Sequence, residues 1–284
     1  MNSLHDVPAP AKLNLFLHIT GRRVDGYHLL QSVFMLIDWC DTLHFEMRPN
    51  GKISREDLTT ELPDDDLVLK AARALQLATG SSRGAHISIA KSIPAQAGMG
   101  GGSSDAASTL LALNRLWKLN LSRVQLSQIG LTLGADVPFF IHGSNAWVEG
   151  IGEQIRPVEV PKAHFLVVKP ESGLSTQAIF TATGLKRDTP NAIISGFAAN
   201  PFSFGRNDLQ AVAQTLCPDV NSALNWLGKH GLQSRMTGSG SAVFAHVSEE
   251  VVSNFATFAD APKNAIVRLC SNLAEHPLKS WANE

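Results

Sequence analysis

The chain has 284 residues, of which 44% are hydrophobic and 17% charged, and its formal net charge is −1. This is a globular composition, large enough for one big domain or two modest ones, and too evenly charged for a broad nucleic-acid or anionic-membrane footprint. Cys40, Cys217 and Cys270 are odd in number and far apart, which argues against a disulfide framework or a zinc site and fits a reducing cytoplasm.

Met1 to Pro10 contains Asp6 and two prolines and lacks the apolar core of a signal peptide. No apolar run reaches the roughly 18 residues of a membrane-spanning helix, so the expectation is a soluble protein. Leu13, Leu15, Leu17 and Ile19 alternate with other residues at a period of two, predicting a strand that ends before the Asp25-Gly26 turn. Ser32 to Ile37 is a compact apolar stretch, and Leu43, Phe45 and Met47 predict a further strand. Asp65 to Ala78 has helical spacing behind a cluster of aspartates, which suit a helix N-terminus.

Ile87 and Ile89 predict a strand ending near Lys91. After the glycine-rich segment, Ala106, Leu110, Leu113 and Trp117 form one helical stripe, with Ser103 or Ser104 as the expected N-cap. Val124 to Leu133 predicts a helix closed by Gly134, and Ala146 to Val148 a short strand before the Gly150-Ile151-Gly152 turn. A composition shift at Arg156 to Lys162, with Pro157 and Pro161, divides the chain into an N-terminal domain, 1–157, and a C-terminal domain, 158–284. Beyond it, His164 to Val168 reads as a strand and Asn191 to Gly205 as a loop. Asp208 to Leu227 reads as helix broken by Pro218. Ser241 to Val247, Glu249 to Phe258 and Ala265 to Cys270 read as strand, helix and strand. Strands and helices alternate irregularly, so the fold class is mixed α+β.

The chemistry centres on Pro94-Ala95-Gln96-Ala97-Gly98-Met99-Gly100-Gly101-Gly102-Ser103-Ser104. Glycines let backbone N–H groups crowd an anion, and the following helix adds unpaired N–H groups and the positive end of its dipole. Ser103 and Ser104 can donate to phosphate oxygens, or one of them can ligate magnesium. The segment lacks the Lys-Ser or Lys-Thr of a Walker A loop and the spacing of a dinucleotide fingerprint. The plain alternative is a flexible loop before a capped helix.

Lys12 lies in an apolar strand, either facing outward or serving a phosphate or hydroxyl. Asp136 lies in the apolar run Leu133-Gly134-Ala135-Asp136-Val137-Pro138, either capping a helix or accepting a proton. Gly238, Ser239 and Gly240, after Thr237, form a second glycine turn that could present amides to a ligand or simply lead into a strand. Tyr27 and His28 could stack on and hydrogen-bond a nucleobase, or brace the turn before them. No metal-ligating histidine spacing and no serine-hydrolase elbow are present.

Pro-Ala-Lys-Leu-Asn at residues 10–14, the glycine loop at 94–104 and Thr-Gly-Ser-Gly at 237–240 occur in the order found in the GHMP kinase superfamily, which this chain resembles over nearly its whole length. Arg23-Val24-Asp25-Gly26-Tyr27-His28, Gly100 to Ala107 and Leu133 to Pro138 point to a member acting on a cytidine diphosphate-linked methylerythritol. The resemblance implies a ribosomal-protein-S5-like N-terminal domain, a smaller α/β C-terminal domain and an active site between them. It implies ATP and Mg2+ as cofactors, with γ-phosphoryl transfer to the 2-hydroxyl of that polyol in isoprenoid precursor synthesis. It assigns Asp136 as the base and Lys12 as its catalytic partner. Asn14 would help hold the substrate, Tyr27 would stack on cytosine, His28 would hydrogen-bond it, and Phe204 is the candidate for the second stacking face. Two departures stand out: Gln96-Ala97 replace glycines common in the family, and Asp66 replaces an asparagine near the adenine.

Overall fold

The computed structural model describes residues 2–253 and 260–284. Its spine is a long hairpin. β1 (Ser3–Arg22) and β2 (His28–Arg48) pair antiparallel almost end to end across the Asp25-Gly26 turn. The sequence suggests two separate stretches in β2 because Asp38 and Asp41 interrupt its apolar pattern. The strand nevertheless runs through. Asp38 is exposed and accepts from the Ser271 amide, and buried Asp41 is neutralised by Lys91.

β3 (Ile53–Asp57), β4 (Gly84–Ala90), β5 (Ala146–Glu149) and β6 (Gln154–Pro157) complete a six-stranded sheet ordered β3-β4-β2-β5-β6, with β1 also on β2. β5 matches the short strand expected at Ala146 to Val148, whereas β3 and β6 have no counterpart in the sequence reading, because short strands carry too few residues for a period to register.

Helices α1 (Leu67–Thr79) and α2 (Gly101–Trp117) lie on this sheet, with α3 (Arg123–Leu131) and α4 (Val137–His142) packed against them. Asp66 caps α1 by accepting from the Leu69 amide, and Gly80 ends it in the left-handed conformation. Such a cap contributes about 0.5–2 kcal/mol. The α2 stripe Ala106, Leu110, Leu113 and Trp117 is buried against Leu36, Leu43 and Ile87 of the sheet core. α2 starts earlier than the sequence suggests: Gly100, at φ 72°, occupies the cap position, and neither Ser103 nor Ser104 does.

A second sheet, ordered β10-β7-β9-β8, is built from β7 (His164–Lys169), β8 (Ser234–Met236), β9 (Val243–Val247) and β10 (Ile266–Ser271). With it come α5 (Thr176–Thr181), α6 (Ile194–Ala199), α7 (Gln210–Leu216), α8 (Pro218–Lys229) and α9 (Glu249–Ser253). The expected loop at 191–205 thus contains a helix, held by Phe197, whose ring packs on Phe16 and Trp147. Pro218 separates α7 from α8 as its missing N–H dictates. The helix expected from Glu249 to Phe258 is seen to Ser253, and its remainder falls on residues outside those described.

β1 joins the two parts physically. Ala9 belongs to the apolar core under α1 and α2, Leu13 and Leu15 to a second core with Phe165, and Leu17 and Ile19 to a third with Leu209 and Trp226.

Candidate active site

A cleft of about 1160 Å³ opens between the loops of the two sheets. Along one wall run Pro94 to Gly102, and Lys12, Asn14 and Asp136 lie along it too. Tyr27, His28 and Phe180 line the cleft as well, as does the turn Gly238, Ser239 and Gly240.

Lys12 is only 3% exposed. Its backbone N–H donates to Met99 O at 3.0 Å, so β1 holds the glycine loop directly. Its Nζ donates to Asn14 Oδ1 at 2.5 Å, faces the Phe34 ring at 4.6 Å, and lies 3.6 Å from Asp136 Oδ2. Burial pushes the lysine below its ordinary pKa, and the Asp136 charge partly restores it. Asn14 is fixed in turn: Nδ2 donates to Ser32 Oγ, and the backbone N–H donates to Thr237 Oγ1.

Asp136 precedes α4 at the cap position, but its side chain makes no capping hydrogen bond and its backbone is already helical. The carboxylate instead faces Lys12 and the cleft. Between the two readings open from sequence, the geometry favours the charge pair over the cap.

The glycines make the loop's close approaches possible. A Cβ on Gly100 would lie 3.0 Å from Phe140 Cζ and 3.3 Å from Lys12 Cε. Gly98, at φ +72°, passes so near the second glycine turn that a Cβ there would lie 2.3 Å from Thr237 O. The two turns are stitched together where Ser241 N donates to Gln96 O at 3.0 Å and Ala242 N to Ala97 O at 3.2 Å. Asn207 Nδ2 secures the second turn by donating to Gly238 O and Met236 O. Ser239 Oγ lies 2.8 Å from Thr176 Oγ1 of α5.

Two members of the expected anion-binding set fall outside the cleft lining. Ser103 and Ser104 lie on α2 behind the glycines, and Ser104 is wholly buried, its hydroxyl without a protein hydrogen bond. The helix starts at Gly101, so these serines are its third and fourth residues, at the back of its first turn rather than at its mouth.

Phe204 also departs from expectation. Its ring packs edge-on to Phe16 at 5.1 Å and on Phe197 at 6.0 Å, inside the second core, and it does not line the cleft. Phe180 of α5 lines the cleft instead, with its ring 5.0 Å from His28. α5 is six residues long, and its one sequence signal is the cap Ser175, whose hydroxyl accepts from the Ala178 amide. Tyr27, 60% exposed, lines the same cleft, its backbone held by the Arg23 amide and the Asp25 carboxylate.

A buried charge cluster beneath the glycine loop was not foreseen. Lys91 Nζ is bonded to Asp41 Oδ2, and to Asp105 Oδ2 at 2.5 Å. Asp41 Oδ1 accepts from the amides of Ser92 and Ile93 at the start of the loop. Burial works against the lysine's charge, but Asp105 and Asp41 together hold its pKa above the ordinary value. Burial, reinforced by Asp41, raises Asp105. Asp66 lines the cleft with its carboxylate already engaged, by Arg55 at 2.7 Å and by the Leu69 amide.

Comparison with known proteins fits this geometry. The GHMP kinases N terminal domain matches residues 66–144, and the GHMP kinases C terminal domain matches residues 192–263. The chain is 67% identical over 282 residues to a 4-diphosphocytidyl-2-C-methyl-D-erythritol kinase of Albidiferax ferrireducens, covering 99% of this chain and 96% of that one. It is 65% identical to the protein of the same name from Acidovorax sp. strain JS42, covering 99% of each. A crystal structure of 4-(cytidine 5'-diphospho)-2C-methyl-D-erythritol kinase superposes with a TM-score of 0.78 at 29% identity, covering 93% of this chain and 98% of that one.

Proposed function

From the premise that this chain belongs to the 4-diphosphocytidyl-2-C-methyl-D-erythritol kinases of the GHMP kinase family, we propose how its cleft carries out the reaction. The protein is an ATP-dependent small-molecule kinase of isoprenoid precursor synthesis. It phosphorylates the 2-hydroxyl of 4-diphosphocytidyl-2-C-methyl-D-erythritol.

The single observation carrying the assignment of roles is the Lys12–Asp136 pair, 3.6 Å apart at the foot of the glycine loop and in the same cleft as Tyr27, His28 and Phe180. The triphosphate lies along Gly98 to Gly102, against the first amides of α2 and the positive end of its dipole. Pro94 to Ala97 form the approach to that cradle, and Gly238, Ser239 and Gly240 its far rim. Magnesium arrives as part of the nucleotide. There it would neutralise charge on the phosphates, and among the described residues no group of three or more His, Cys, Asp or Glu side chains is placed to hold a metal ion.

The cytosine lies between Tyr27 and Phe180 with its edge toward His28, and Asn14 orients the polyol. The acceptor is a crowded tertiary alcohol, so alignment dominates the barrier. Asp136 takes its proton. Lys12, desolvated and held by Asn14, stabilises negative charge as it passes from the carboxylate to the attacking hydroxyl oxygen.

We take the two functional halves as 1–157 and 158–284. The cell compartment we assign is the cytoplasm, which suits three free cysteines, Cys40 and Cys270 having thiols pushed up by burial to about 11 and about 12. Among the described residues no helix is long and apolar enough to cross a membrane.

Coupled ADP detection with the cytidine-linked polyol, the free polyol phosphate, mevalonate and homoserine as acceptors tests the reading. Release with the first alone is expected. Equal rates with acceptors lacking cytidine would refute the base-binding half of the cleft.

A further inference from the structure

Arg187 follows α5 and joins His28 to the Phe180 end of that helix without touching the reaction centre. Its Nε donates to His28 Nε2 at 2.9 Å. Nη2 donates to Phe180 O at 3.1 Å and Ala182 O at 3.0 Å, and Nη1 to Leu185 O at 3.0 Å. Four of the five guanidinium hydrogens are thus spent on one imidazole and on the end of α5.

A guanidinium carries no lone pair, so His28 Nε2 must be the unprotonated nitrogen. Burial, then Arg187 and Arg22, keep this imidazole below its ordinary pKa, so it is neutral near pH 7. A neutral ring whose Nε2 accepts carries its proton on Nδ1. Nδ1 is not among the buried polar atoms lacking a partner, and His28 lines the cleft.

We propose that Arg187 is a positioning residue for base recognition: it fixes His28 as the Nδ1–H tautomer, a donor toward the base, and ties the Phe180 end of α5 to the same ring. A donor at that place pairs with the N3 lone pair of cytosine and opposes the N3–H of uracil. One guanidinium therefore sets both the hydrogen-bond polarity and the width of the site. The inference rests on the cytidine reading above and deepens it.

The test uses the full chain, with cytidine diphosphate as probe and uridine diphosphate and ATP as controls. Long-range ¹⁵N correlation of the histidine rings should show His28 protonated on Nδ1 in the wild type. In Arg187→Gln that preference should be lost, cytidine diphosphate affinity should fall roughly 10-fold, and the cytidine-over-uridine preference should narrow, with ATP affinity unchanged. Arg187→Lys should keep the tautomer, since an ammonium also only donates. In steady state the loss should fall on KM for the cytidine substrate with kcat within about 2-fold. Failure of the wild type to bind cytidine diphosphate would remove the base reading and this inference with it. Binding by the wild type with the same affinity and tautomer in Arg187→Gln would overturn the inference alone. A parallel loss of ATP affinity would assign Arg187 a merely structural role and overturn it as well.

Discussion

Replacing Gly98 with alanine tests the seam between the two glycine turns. The added Cβ would lie 2.3 Å from Thr237 O, 2.8 Å from Gly240 N and 3.2 Å from Gly240 O, all backbone atoms. Relief needs one turn to retreat by about 1 Å, and the retreat strains the Ser241–Gln96 and Ala242–Ala97 hydrogen bonds. The residue also sits at φ +72°, which costs an L-residue about 1–2 kcal/mol. With about 1–3 kcal/mol for overpacking, the loss is roughly 2–5 kcal/mol, a fall in Tm of roughly 3–8 °C for a chain of 284 residues. A displacement of about 1 Å in the phosphate cradle should lower kcat/KM for ATP roughly 100-fold. Thermal unfolding and coupled ADP release measure both. Gly102→Ala is the control, because its Cβ would meet only Leu67 Cδ1 at an ordinary 3.5 Å and should leave Tm unchanged. Wild-type Tm and kcat/KM in Gly98→Ala would refute the idea that the turns must interlock to hold the nucleotide.

Asp136→Asn keeps the shape of the site but removes its proton acceptor. kcat should fall roughly 10²–10⁴-fold with both KM values nearly unchanged, and full activity would end the general-base assignment. Phe180→Ala should raise KM for the cytidine substrate by roughly 5- to 100-fold through lost stacking, measured by initial rates. Phe204→Ala should lower Tm and leave that KM alone, and the reverse pattern would restore Phe204 to the base site. Burial pushes His276 down to about 4 from its ordinary 6.5. The unfolded chain therefore takes up the proton first. Stability should be complete above about pH 6.5 and decline by on the order of 3 kcal/mol as pH falls toward 4. Urea melts at pH 7 and 4.5 should show this, with a smaller difference in His276→Gln, and an unchanged difference would remove His276 as the source.

The parts of the site that were legible in the sequence are those where residue type alone carries the chemistry. Four glycines in five residues announce a bare backbone, and a lysine and an aspartate stand out in apolar runs because burying either needs a reason. What escaped depends on contacts between distant residues. Lys91 meets Asp41 across 50 positions, so no local period marks the pair, and β2 looks interrupted where it is continuous. Phe180 and Phe204 are the same residue type, and only the packing on Phe16 and Phe197 shows which one faces the core. The α2 cap was misplaced because serine is the better cap by propensity, whereas the loop enters the helix through a left-handed residue beside Phe140, a place that suits Gly100. α6 hides in a stretch of Gly, Asn, Ser and Phe because tertiary burial of one phenylalanine outweighs its weak local propensity.

β1 lends side chains to all three apolar clusters, so melting either half would strip apolar contacts from the strand that also serves the other. The two sheets are therefore expected to unfold together, and heat absorption should come as a single event whose calorimetric and van't Hoff enthalpies agree. A nucleotide gripped at one end of the ribbon then protects residues at the other end from hydrogen exchange, with no shift in their positions.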